Sequence, residues 1–465
     1  MAKKIGPLDI YNYLPKTNCG ECGEKTCMAF ASQLIERAVK LEDCPPLKQP
    51  NFDGSYRSLK ELLAPNVKEV VVGVGEGAVK IGGEEVIFRH ELTYFNNTAI
   101  ALDVHDEMKD DELVGKVRYI NDFYFKRIGE ELKLDIIAIR SKSNDPDKFA
   151  QCVSKVSDDT KKPLIICSWN PSVLESGLKV VGHERPLIYA ATKDTWKEIG
   201  GLAVKYHCPV VAFADDDMSE LKSVVKALES MGIEDIVLDP GSHVEGQYLA
   251  NTFGNFVASR RAAIWNEDIG YPLLGVPATV WLNGEGAENI FKEVMIAATM
   301  IDKYADLIIL HTPEIWALLP IVTLRQNIYT DPRRPIAVDA GLRRFGNPDE
   351  NSPVIMTTNF ALTYYTVASD IESAGVDCYL LVIDTEGLGV EVSVAGGQLD
   401  AFKAVDAIKK SGIEEEVKHR KIIIPGLSAR ISGDLEIQSA WDVLVGPRDS
   451  SSIKDFIEKK WNVVN

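Results

Sequence analysis

Four cysteines near the start of the chain constrain it more than any other feature. Cys19, Cys22, Cys27 and Cys44 stand as C-x2-C-x4-C-x16-C, the first three inside Thr17-Asn18-Cys19-Gly20-Glu21-Cys22-Gly23-Glu24-Lys25-Thr26-Cys27. Four thiolates suffice for one cubane 4Fe-4S cluster or one tetrahedral zinc. Zinc modules usually set their ligands as two separated C-x2-C knuckles. A single knuckle followed by a long gap suits an iron–sulfur cluster better, and zinc stays open as the second reading. Gly20 and Gly23 let the backbone wrap tightly with amides facing sulfur. After Cys27, the residues Ala31, Leu34, Ile35, Ala38 and Leu41 recur at helical spacing. They predict a helix that delivers Cys44 at its far end, stopped by Pro45 and Pro46.

At 465 residues the chain exceeds what a single core supports. Its formal charge of −18 argues against nucleic acid or an anionic membrane as partner. No secretory leader pattern opens it, and no apolar run approaches the roughly 20 residues of a membrane helix, so a cytoplasmic location is expected. Cys152, Cys167, Cys208 and Cys378 lie singly among apolar neighbours, as reduced core cysteines do.

Four segments follow. Residues 1–60 form the cluster domain and 61–91 a linker with a β-hairpin, Val70-Val71-Val72 against Val86-Ile87-Phe88. Gly73-x-Gly75-x-Gly77 invites a dinucleotide reading, but Ala78–Gly83 is β-branched and glycine-broken where that fingerprint needs a helix. Residues 92–320 carry short apolar runs at 99–102, 136–139, 164–167, 187–190, 210–213, 236–238, 278–281 and 307–310, separated by amphipathic stretches such as 219–231 and 287–304. That alternation predicts a (β/α)8 TIM barrel. Polar residues follow most of these strands, among them Asp103, Arg140, Asn170, Asp215-Asp216-Asp217, Asp239, Asn283 and His311. They are either a functional rim or ordinary helix caps. Residues 321–465 read as a doubly wound, Rossmann-like α/β domain, whose ligand belongs beyond the carboxyl ends of its strands. The fold class is therefore α/β multidomain, with no catalytic side chain evident.

The run Pro15–Pro46 resembles the amino-terminal module of the large (gamma) subunit of the corrinoid iron–sulfur protein, from the acetyl-CoA synthase or acetyl-CoA decarbonylase/synthase system. The runs 357–366, 384–388, 425–428 with 431–433, and 445–448 are similar to the same family's corrinoid-binding domain, so the resemblance spans essentially the whole chain. It implies that Thr357, Thr363, Gly387, Leu388, Gly389 and Val390 contact a cobalamin-type corrinoid, with Gly426, Ser428 and Gly433 as further contacts. The family usually carries Ser where this chain has Gly389.

The D-x-H-x-x-G signature of histidine-ligated corrinoid proteins is missing, and His419 is the single histidine of 321–465. A corrinoid without a protein axial ligand is expected. The implied function is methyl carriage: Co(I) accepts the N5-methyl of a methyl-tetrahydropterin (folate or sarcinapterin type) and exchanges it with the nickel centre of acetyl-CoA synthase, the cluster restoring Co(I) after accidental oxidation. The implied partners are a small corrinoid iron–sulfur protein subunit forming a heterodimer, a methyl-tetrahydropterin methyltransferase and acetyl-CoA synthase. Two other readings stand beside it: a pterin-dependent methyltransferase with its site on the barrel, and an iron–sulfur electron carrier without corrinoid.

Overall fold

A computed structural model describes residues 5–265, 269–284, 286–333 and 335–461. The chain forms two compact units, residues 1–125 with 132–330, and 126–131 with 331–465. No helix among the described residues is long and apolar enough to cross a membrane.

The larger unit is built on eight parallel strands: β1 (Ala99–His105), β2 (Ile136–Arg140), β3 (Leu164–Cys167), β4 (Leu187–Ala191), β5 (Val210–Phe213), β6 (Ile236–Asp239), β7 (Leu274–Gly275) and β8 (Leu307–Leu310). They are ordered β6-β5-β4-β3-β2-β1-β8-β7, and a parallel bridge from Leu238 to Leu273 closes the ring. This is the TIM barrel expected from the alternation. Side chains on a strand alternate faces, and here the split is clean. Ala99, Ala101, Ile136, Ala138, Ile165, Val211, Val237, Leu307 and Ile309 fill the interior. Ile100, Leu102, Ile137, Ile139, Ile166 and Ile188 pack outward on the helices.

One predicted strand is wrong. Ala278–Trp281 lies inside a 3-10 helix, Pro277–Asn283, and the barrel position falls to the short β7 before it. Pro277 opens that helix, and Ser242 holds the turn by accepting from Val276 N–H at 2.9 Å through its hydroxyl and from the Thr279 hydroxyl at 3.1 Å through its carbonyl.

The hairpin exists, with a different second strand. Glu69–Val72 pairs antiparallel with Val79–Gly82, and the glycines at 73, 75 and 77 make the connection, so no nucleotide loop forms there. Val86 and Phe88 lie outside any strand. The hairpin plugs the amino-terminal end of the barrel: Val70, Val72 and Ile81 share the interior core, and Gly73 N–H donates to the Arg185 carbonyl just before β4.

The N-terminal module packs Ile10, Leu14, Phe30, Ala31, Leu34, Leu41, Leu47 and Leu59 around helix Cys27–Ile35. That helix is shorter than predicted. It stops at Ile35 because Arg37 turns to φ 53°, where its guanidinium bonds Glu85 and stacks on Phe95 at 4.1 Å. Cys44 then sits between two 3-10 turns, and Pro45 starts the second of them rather than ending a helix.

The smaller unit holds β9 (Gly341–Phe345), β10 (Val354–Thr358), β11 (Cys378–Ile383), β12 (Lys421–Ile424) and β13 (Asp442–Val445), ordered β9-β11-β10-β12-β13. All are parallel except β9, an antiparallel edge strand that the sequence reading did not foresee. The chain passes from central β10 to β11 on one side, then to β12 on the other. This makes the carboxyl end of β10 the topological switch point of the sheet.

Candidate functional site

The four cysteines of the module converge. Cys27 opens its helix, whose cap is Thr26, accepting from Ala29 N–H at 3.1 Å, while Asn18 Oδ1 accepts the Cys27 amide at 2.9 Å. Gly20 and Gly23 take φ of 76° and 87°, and no atom stands within 4 Å of where a side chain would begin. Cys27 and Cys44 are buried, Cys22 half-buried and Cys19 exposed. Burial pushes the Cys44 thiol up, the neighbouring Cys22, Cys27 and Cys19 push it further, and the Leu47 amide opposes them. Among the described residues no group of three or more His, Cys, Asp or Glu side chains is placed to hold a metal ion, the four cysteines included. Cys19, Cys22 and Cys27 lie near enough to raise the Cys44 thiol, and four thiols in one module match in number the four irons of a cubane.

In the smaller unit, the switch point carries an unusual pair. Thr357 and Thr358 end β10 almost fully buried, and neither hydroxyl has a partner among the described residues. The next residue orders the facing loop. Asn359 Oδ1 accepts from the Thr385 and Gly387 amides at 2.9 and 3.0 Å, and its Nδ2 donates to Asp384 at 3.0 Å. The Thr385 hydroxyl closes the turn on the Leu388 carbonyl at 2.7 Å. Gly387 is required there: its φ is 74°, and a Cβ would fall 2.8 Å from the Pro335 Cβ. Leu362 and Val392, in the first turns of helices Ala361–Ala374 and Val390–Gly396, are exposed beside these loops.

Of the residues singled out from sequence, Thr357, Thr363, Gly387, Leu388, Gly389 and Val390 stand together at this end of the sheet. A Cβ at Gly389 would lie 3.8 Å from Thr363 Oγ1 and 3.5 Å from Phe360. Gly426 and Ser428 follow β12, next to β10. Their roles here are internal: a Cβ at Gly426 would meet Arg448 N and Gly446 O at 2.8 Å, and the buried Ser428 hydroxyl donates to the Pro425 carbonyl at 2.7 Å. Gly433 is exposed on helix Ser432–Ser439. His419 sits at the opposite end, before β12, with Nε2 3.0 Å from the Ser352 carbonyl. The residue that sequence reasoning passed over is Asn359, and its signal was position: a buried amide directly after the switch-point strand.

Gly389 takes φ −66° as the cap of Val390–Gly396, and the space around it is ordinary contact distance. Gly389→Ser is therefore expected to fold as well as the native chain or better by a few tenths of a kcal/mol. A melting temperature more than a few degrees lower would contradict that.

The barrel's carboxyl mouth is more than a row of caps. Asn170 and Asp217 do cap their helices. Asp103 and Asp239, by contrast, continue the inward-facing register of their strands and are buried. Asp103 accepts from His311 Nδ1 at 2.6 Å and pairs with Arg140 at 3.0 Å and Lys116 at 3.4 Å. Burial works to raise its carboxyl, but the His311 hydrogen bond, Lys116 and Arg140 outweigh it and hold it at about 2. Asp239 goes the other way: burial lifts it to about 7 despite hydrogen bonds from Tyr189 and Gly241. Trp169 packs on Phe213 and Tyr189 above it, with ring centroids 4.9 and 5.5 Å away.

A carboxyl held below its unfolded value stabilises the fold above about pH 4, and that contribution fades as pH falls toward 2. Asp103→Asn should thus cost a few kcal/mol at pH 7 by leaving its cations without their partner. Urea titrations of native and variant chains should converge on acidification below pH 4; a constant gap would remove Asp103 from this role.

Comparison with known proteins gives a consistent picture. A family model described as CO dehydrogenase/acetyl-CoA synthase delta subunit matches residues 69–457, and a second, for an Fe-S cluster, matches residues 14–46. The acetyl-CoA decarbonylase/synthase complex subunit gamma 2 of Methanosarcina thermophila is 50% identical over 461 residues, 98% of each chain. The gamma subunit of the corresponding complex of Methanothermobacter thermautotrophicus is 46% identical, covering 98% of this chain and 99% of its own. That of Archaeoglobus fulgidus is also 46% identical, covering 99% of each. These matches run through the cysteine segment that the delta-subunit model leaves out. The chain belongs to the family of the gamma subunit of the acetyl-CoA decarbonylase/synthase complex.

Proposed function

We propose that this chain is the methyl carrier of an acetyl-CoA decarbonylase/synthase complex, holding a corrinoid at the carboxyl ends of β10 and β11 and a 4Fe-4S cluster on Cys19, Cys22, Cys27 and Cys44. The observation that carries the reading is the loop that Asn359 orders at the switch point, next to the buried, unpartnered hydroxyls of Thr357 and Thr358, one on each face of β10. Buried hydroxyls without partners are rare in native proteins, and here they stand where doubly wound sheets bind ligands. Asn359 fixes the 385–388 backbone, so a flat ligand meets a formed surface. Leu362 and Val392 offer it apolar contact, and Thr363 with the Gly389 backbone offers polar contact.

When bound, the corrinoid supplies a cobalt nucleophile that takes a methyl group from a methyl-tetrahydropterin and yields it to the acetyl-CoA-forming centre, and the cluster supplies the electron that restores it. The protein's share is positioning and tuning. His419, held on Ser352 at the far end of the sheet, is badly placed to reach a ligand at these loops. The cysteines hold the cluster in a module whose exposed edge, at Cys19, offers a route for electrons. The partners proposed are a small barrel subunit in a heterodimer, the methyltransferase and acetyl-CoA synthase.

The test is anaerobic co-production with the small subunit, followed by cobalt, iron and zinc analysis and a visible spectrum. About one cobalt and four irons per chain, with corrinoid bands, is the expected result. Iron without cobalt would favour the electron-carrier reading, and zinc would undo the cluster assignment. The pterin reading draws on the buried Asp239 and the aromatic residues above it; saturable binding of methyl-tetrahydropterin to this chain alone would favour it.

A further inference from the structure

A cavity of about 300 Å³ lies beside the amino-terminal end of the barrel, lined by the segment that leaves the hairpin and by parts of helices Gly246–Ile264 and Ile315–Tyr329. Glu84 lines it. The side chain is 1% exposed, and neither carboxylate oxygen has a hydrogen-bond partner among the described residues. A carboxyl buried in this way is costly, and folded proteins rarely keep one unless water, an ion or a ligand completes it.

Most other charges round the cavity are matched, the exception being the buried Arg260 Nε, which has no partner among the described residues. Arg260 chelates Asp306 through one nitrogen at 2.7 and 2.8 Å, and Lys303 pairs with Asp302 at 2.8 Å. Arg89 donates to the Asn327 and Ile328 carbonyls. The Tyr94 hydroxyl donates to the Ile87 carbonyl at 2.6 Å, and the Tyr329 hydroxyl is 3.1 Å from the Thr98 hydroxyl. Arg260 is the one cation whose field reaches Glu84 strongly, but Asp306 takes its hydrogen bonds, so Glu84 has a cation nearby and none bonded to it. One carboxylate is too few oxygens for calcium or magnesium. The volume is roughly ten times the 30 Å³ that a water occupies in the liquid and reaches the lower range of small-molecule sites. Tyrosine rings in the wall suit a cation with apolar substituents.

We propose that this cavity binds a small organic cation, a primary ammonium on a short apolar stem, with Glu84 as its counter-ion and Tyr94, Tyr304 and Tyr329 as walls. The binding carries a proton signature. Burial pushes the Glu84 carboxyl up to about 8, with Arg260, Arg37 and the nearby Phe95 amide pulling it down and Asp306 pushing it up; that amide is close without forming a well-aligned hydrogen bond. The empty site is then protonated at neutral pH, and an arriving ammonium displaces that proton. Affinity should rise about tenfold from pH 6 to pH 7 and level off above pH 8. His90, exposed at the rim, also lines the cavity, so His90→Gln serves as the control that should keep this pH dependence.

The experiment is titration calorimetry of the full-length chain with butylammonium, with butan-1-ol as the neutral isostere, in two buffers of different ionisation enthalpy. Expected are saturable binding of the amine with release of close to one proton at pH 7, no binding of the alcohol, and at least a tenfold loss of affinity in Glu84→Gln. Absence of amine binding, or equal affinity in the variant, overturns the proposal. Should the variant fail to fold, the native chain decides alone, because binding without proton release also overturns it.

Discussion

Replacing Cys44 by alanine is expected to take iron from about four atoms per chain to nearly none. Cys44 is 5% exposed and belongs with Cys27 to the apolar core of the N-terminal module. Three remaining thiolates leave one cluster iron without a protein sulfur, and the module would lose the cross-link between its 3-10 turns and helix Cys27–Ile35. The barrel has its own core and should keep its cooperative unfolding. Cys152→Ala is the control: it removes another buried thiol, outside the module, and should leave iron unchanged. Iron, sulfide and visible absorption measured under anaerobic conditions test this directly. Full iron in Cys44→Ala would mean that a different ligand set holds the cluster.

The second large effect is expected at Asn359. Asn359→Leu keeps the volume and removes both an acceptor and a donor, stranding the Thr385 and Gly387 amides in a buried turn. Each orphaned buried amide costs about 1–3 kcal/mol, so a loss of roughly 2–6 kcal/mol in the smaller unit is expected. The loop that would face a corrinoid then has no fixed backbone. Cobalt content and corrinoid absorption should fall together, and to a greater extent than in Thr357→Val, which removes one hydroxyl and leaves the loop bonded. Retention of cobalt in Asn359→Leu with an unchanged melting curve would contradict the role given to it.

The sequence was most legible where a buried strand ran uninterrupted. Leu164–Cys167, Val210–Phe213, Leu307–Leu310 and Lys421–Ile424 stand where their apolar runs placed them. Reading failed where a local bond overrode an apolar run. Ala278–Trp281 has β-forming residues, yet Pro277 and the Ser242 contacts coil it into a 3-10 helix. The helix after Cys27 kept its periodicity on paper, but the pull of Glu85 and Phe95 on Arg37 ended it early. The Ser242 and Arg37 contacts are long-range and have no signature in a window of neighbouring residues, whereas Pro277 was a local warning against a strand. The mouth of the barrel was legible in part: counting by two from Ala99 and Ala101 gives Asp103, and from Val237 gives Asp239. That count separates inward carboxylates from caps such as Asp217, which the residue types alone did not.

The hairpin that plugs the barrel also fixes how the cysteine module is mounted. The chain leaves the module and enters the interior core at Val70 and Val72 within a few residues, while Arg37 fixes the module's flank to Glu85 and Phe95. The module is therefore anchored rather than leashed. Electron tunnelling falls off steeply with distance, so a cluster on a flexible arm could shorten its own path to a redox partner. One carried on the plug of a barrel cannot do so without unseating buried valines. On the function proposed above, electron delivery is set by how whole subunits approach each other, and its rate should respond to changes at their contact surfaces, not to the length of the linker.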